Sequence, residues 1–181
     1  MSEIFDSIET SDIVGAALKR NMNFRENSWI TGYVTITKNK GSLDEIIIQE
    51  SKKNLLTTSG RDFFHNQVYT NTSAGTKGGN AIALSLDATD PAVGDITLVG
   101  EITTNGLSRG QATTISHSTT SNVTTLEKTF TATAQFLNIH KAALFNQNTI
   151  GGQITHSSEF TTDVSLENGD TITCTWTLTL G

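Results

Sequence analysis

Along the last ten residues, Thr171 to Leu180, threonine alternates strictly with apolar side chains. Ile172, Cys174, Trp176, Leu178 and Leu180 fall on one face and five threonines on the other, the two-residue period of a half-buried β-strand. This strand follows Glu167-Asn168-Gly169-Asp170, a turn whose Asn-Gly pair readily takes positive φ. The pattern predicts a central strand with Trp176 buried.

Weaker alternation recurs upstream. Phe130, Ala132, Ala134 and Phe136 share one face, with Thr129, Thr131 and Thr133 opposite, and Ile82, Leu84 and Leu86 share a face within Asn80 to Leu86. Trp29 to Thr37 and Leu43 to Gln49 predict two strands around the turn Lys38-Asn39-Lys40-Gly41. The run Ile46-Ile47-Ile48 predicts burial on both faces. Further candidate strands are Ile96 to Thr103, Gln111 to Ser118, Asn138 to Phe145 and Gln153 to Phe160. Two stretches have helical spacing. Glu9 to Asn21 sets Ile13, Ala16 and Ala17 on one face after a Ser11 or Asp12 cap, and Asn54 to Tyr69 does so with Leu55, Leu56, Phe63, Phe64 and Val68, weakened by Gly60. Asn71 to Gly79 is a small-residue loop.

Short strands parted by Gly, Asn and Asp turns predict a mainly β chain, an antiparallel β-sandwich of jelly-roll or immunoglobulin-like type, with one or two short helices in the N-terminal third. The expected division is an N-terminal segment, residues 1–53, acting as an arm or a strand and helix extension, and a β-sandwich domain, residues 54–181.

Composition sharpens this picture. Of 181 residues, 31 are Thr, and 17% are charged against about 25% in a typical globular chain. Thr loses side-chain freedom in a helix and fits a pleated surface, so the bias reinforces the β assignment. A net charge of -6 argues against nucleic acid as a partner, because nothing basic is concentrated enough to displace counterions from phosphates. No apolar run approaches a membrane span, and the acidic start Met1-Ser2-Glu3-Ile4-Phe5-Asp6 lacks a signal-peptide core. The single Cys174 permits no internal disulfide.

The chain holds little that reads as chemistry. His65, His117, His140 and His156 lie far apart and lack metal-ligand spacing, so no metal residue is assigned. Cys174 falls on the core side of its strand and reads as a small buried hydrophobe. Asp87, Asp90 and Asp95 bracket a loop without the glycine and terminal Glu of a calcium-binding hand, and turn chemistry accounts for them. Gly75-Thr76-Lys77-Gly78-Gly79 lacks the strand–loop–helix setting of a phosphate cradle. Glu101 and Arg109 flank the turn Asn105-Gly106. On neighbouring strands of a hairpin they would pair and fix its register, a structural role. No catalytic or cofactor-binding residue is assigned, and the chain is not expected to be an enzyme.

Ordered fragments carry one resemblance. They are Asn54 to Asp62, Ile82-Ala83-Leu84, Ala88 to Asp95, Gly100-Glu101-Ile102, Asn105 to Arg109, Thr129 to Thr133, Ala142 to Asn146, Gly169 to Thr173 and Trp176-Thr177-Leu178. Across Asn54 to Leu180 the chain resembles the β-sandwich virion structural proteins of tailed viruses (bacteriophages); residues 1–53 lie outside the likeness. The resemblance implies capsid decoration (cement), or a neck or tail accessory role, in a virion assembled in the host cytoplasm. It also implies a homo-oligomer, a trimer in form, contacting the major capsid or tail protein, with no cofactor, no nucleic acid and no membrane. Part of the expected assembly contact falls to residues 1–53. The alternative expectation is a carbohydrate- or receptor-binding module of a tail fibre or adhesin, for which exposed aromatic platforms are scarce.

Overall fold

The computed structural model describes residues 30–65, 78–117, 123–149 and 151–180. In chain order the elements are β1 (Ile30–Lys38), β2 (Ile46–Lys53), β3 (Leu55–Leu56), α1 (Thr58–His65), β4 (Ala81–Ser85), β5 (Gly110–Gln111), β6 (Thr114–His117), β7 (Val123–Thr131), β8 (Phe136–Phe145), β9 (Ile154–Leu166) and β10 (Thr171–Leu180). They form two five-stranded antiparallel sheets, β2-β1-β10-β7-β6 and β3-β9-β8-β4-β5. The expected antiparallel β-sandwich is the fold.

The alternating strand at the C-terminal end lies at the centre of the first sheet. β10 pairs along its length with β1, Ile30 opposite Leu180 and Lys38 opposite Ile172, and on its other side with β7. Its apolar face packs Ile172, Cys174 and Trp176, all fully buried, against Ile82, Leu84, Ile139, Leu144 and Val164 of the second sheet. Burial of such side chains supplies about 1.5–3 kcal/mol each and holds the two layers together. A smaller cluster of Ala81, Ala83, Ala143, Phe145 and Ile154 lies beneath Leu98, from the connection between β4 and β5.

Several expectations fail for local reasons. Burial on both faces belongs to β4, every residue of which is buried, whereas Ile46 and Ile47 are 53% and 57% exposed. The isoleucines begin an edge strand whose pairing with β1 is interrupted by register shifts. Ile96 to Thr103 is no strand. Gly100 takes φ 66° against Asp87, and only Glu101 bridges, to Ser85. The Phe130 to Phe136 alternation breaks where β7 turns into β8. Gln111 to Ser118 splits as the chain passes from the second sheet to the first, while β9 runs on to Leu166, beyond the expected Phe160.

The second expected helix is shortened to α1. Leu55 and Leu56 instead pair with Ser157 and His156 of β9. The Thr57 hydroxyl caps α1 by accepting the Gly60 N–H at 3.0 Å. Gly60 then packs where any β-carbon would collide with the Thr155 carbonyl, so the residue that weakens the helix also lets it dock. Within residues 1–53, β1 and β2 are two strands of the first sheet. The expected helix over Glu9 to Asn21 and most of the Asn71 to Gly79 loop lie outside the described residues.

Candidate functional site

Among the described residues, the start of β2 and a groove at one end of the sandwich are two of the places where apolar side chains open to solvent. The first is at the start of β2, where fully exposed Leu43 precedes half-exposed Ile46 and Ile47 on the edge of the first sheet. Ile48 turns inward onto the core and Gln49 is buried, donating to the Val34 carbonyl at 3.2 Å and accepting the Thr161 N–H at 3.1 Å. The strand is therefore anchored by its middle while its first residues offer apolar side chains outward. Ser51 takes φ 46° and Lys52 ties to Glu159 at 3.0 Å. With its register shifts, this edge is poorly shaped for strand-to-strand addition and better suited to side-chain contact.

The second is a groove of about 230 Å³ at one end of the sandwich. Ile30, Leu178, Leu126 and Ile115, from neighbouring strands β1, β10, β7 and β6, form its floor, and Phe64 of α1 faces them.

The histidines are scattered. His117 is exposed beside the Val123 carbonyl, His140 pairs with Asp163 at 2.5 Å, and His156 is buried between Phe64 and Trp176. Burial pushes the His156 pKa down to about 4, so the ring is neutral near pH 7. Its Nε2, the Trp176 Nε1 and both amide atoms of Asn54 have no hydrogen-bond partner among the described residues. Among the described residues no group of three or more His, Cys, Asp or Glu side chains could hold a metal ion. His65 has no described side chain. Cys174 is buried, and desolvation pushes its thiol up to about 12, out of reach of nucleophilic chemistry at neutral pH.

Of the sequence-predicted pairs, Glu101 and Arg109 do meet, at 2.5 Å, but across a loop and not across a hairpin. In the Asp87 to Asp95 loop the carboxylates serve turns and a lysine. Asp95 accepts the Ala92 N–H at 2.8 Å, and Asp87 accepts from buried Lys141 at 2.5 Å. Lys141 also donates to the Thr89 carbonyl at 2.7 Å, and its hydrogen bond holds the Asp87 carboxyl below its ordinary range. Sequence reading missed this lysine, since nothing in the alternation of Asn138 to Phe145 distinguishes a buried Lys from a solvated one.

No protein-family model, curated protein or solved structure matches the chain. No helix among the described residues is long and apolar enough to cross a membrane.

Proposed function

We propose that this protein is a structural component of a tailed-virus particle, a capsid decoration or neck and tail accessory protein that works through protein–protein contacts. One observation supports the reading most directly: Leu43, in the turn before the edge strand β2, and Ile46 and Ile47 at its start are each exposed. Such side chains gain stability when an apolar partner surface covers them. They lie within residues 1–53, the part to which the assembly contact was assigned, and suit a self-associating homo-oligomer. A rigid sandwich with low charge and many threonines meets the same need, because ordering Thr costs less side-chain entropy than ordering Lys or Glu.

The sugar-binding alternative is the weaker reading. Trp176 is fully buried, and Tyr33, at 37% exposure, is the only Trp or Tyr among the described residues with an exposed ring. The experiment is quantitative mass spectrometry of gradient-purified particles. Many copies per particle fit decoration, a few fit neck or tail, and absence from the particle contradicts the proposal.

A further inference from the structure

An asparagine followed by glycine is open to attack on its side chain by the next backbone nitrogen, because a residue without a β-carbon leaves that nitrogen unshielded. The sequence holds two such pairs, Asn105-Gly106 and Asn168-Gly169, and both are exposed. Each sits at the centre of a four-residue turn. Leu107 N donates to the Thr104 carbonyl at 3.1 Å around the first, and Asp170 N donates to the Glu167 carbonyl at 3.0 Å around the second.

The two turns differ at the attacking atom. Gly169 N donates to the Ala132 carbonyl at 2.8 Å, so it is committed to the chain between β7 and β8. Gly106 N makes no hydrogen bond among the described residues, and neither does the Asn105 carboxamide. Asn105 and Gly106 take φ of 52° and 82°, a type I′ turn, whereas Gly169 alone has positive φ in the other pair.

We propose that Asn105 is a self-modification site, at which Gly106 N attacks the Asn105 side-chain carbonyl. The bond from Gly106 N to Cγ forms and the Cγ–Nδ2 bond breaks. Solvent base takes the Gly106 amide proton, the side-chain nitrogen leaves as ammonia, and a five-membered imide remains. Water then opens either imide carbonyl, leaving aspartate or isoaspartate and one added negative charge on a chain at -6. Isoaspartate routes the backbone through the former side chain, one carbon longer. That carbon enters a turn already fitted to the end of β7: Thr133 N donates to the Asn105 carbonyl at 3.0 Å, and a β-carbon at Gly106 would collide with the Thr131 carbonyl. The modification therefore loosens the loop that carries Glu101 and Arg109. It is independent of the particle role, since it needs only this chain and water.

The test incubates the folded full chain in mildly alkaline buffer made with heavy-oxygen water. Its peptides are then mapped by mass spectrometry, with aspartate and isoaspartate forms separated. Asn105 is expected to convert about tenfold faster than Asn168, the rate factor of one backbone hydrogen bond that only the second pair must break. Each converted residue is expected to take up one heavy oxygen. In denaturant, where the Gly169 hydrogen bond is lost, the two rates are expected to converge. Equal rates in the folded chain, faster conversion at Asn168, or no conversion at either position overturns the proposal.

Discussion

Arg109 holds Glu101 through two hydrogen bonds, Nε to Oε1 at 2.8 Å and Nη2 to Oε2 at 2.5 Å, with its guanidinium 3.4 Å from the centre of the Phe145 ring. Its Nη1 donates to the Thr149 carbonyl at 3.0 Å. One cation thus ties the long connection after β4 to the end of β8 and the turn that follows. The pair is largely buried, and removing one partner strands the other away from water. Glu101→Ala is therefore expected to lower unfolding stability by about 3 kcal/mol in a denaturant titration. A wild-type midpoint would show that the connection is held by other contacts.

Two glycines with the same backbone twist give a paired test. Gly106 and Gly169 have φ of 82° and 94°, where any side chain is strained by about 1–2 kcal/mol. A β-carbon at Gly169 meets open space, while one at Gly106 collides with the Thr131 carbonyl. Gly169→Ala is expected to lose only the twist penalty, and Gly106→Ala clearly more. Equal melting temperatures for the two variants would place the 101–109 loop away from β7.

His156 makes stability depend on pH in a defined window. Its folded pKa of about 4 lies below the ordinary 6.5, so between those values the unfolded chain binds a proton that the folded chain refuses. Stability is then full above about pH 6.5 and falls by about 3 kcal/mol as pH drops to 4. Asp87, Glu127 and Asp170 are held low by hydrogen bonds from Lys141, Lys40 and Lys38, so their loss comes at lower pH. Unfolding titrations from pH 7 to 4.5 are expected to show a slope that flattens in His156→Gln. An unchanged slope in that variant would remove His156 as its source.

The sheet-forming code was legible wherever one face is buried and the other is not. Thr171 to Leu180 declared its strand, its inward face and the burial of Trp176, because a two-residue period has one solution beside a core. Ile46 to Ile48 misled because an apolar run has no period, and only topology decides whether such a strand is central or at an edge. Ile96 to Thr103 misled because its apolar residues are buried piecemeal, Leu98 over the outer cluster and Ile102 in the main core. The Glu101–Arg109 pair was visible from charge and spacing. The groove was not, since Ile30, Phe64, Ile115, Leu126 and Leu178 meet only when four strands and a helix are assembled.

The central claim is that the apolar start of β2 is an assembly surface, and the solution mass of the full chain by light scattering tests it most directly. The expected mass is a fixed multiple of 19.4 kDa, falling to that single-chain value in Ile47→Glu with its circular dichroism unchanged. A single-chain mass for the wild-type protein, or an Ile47→Glu protein that keeps the wild-type mass, would contradict the account.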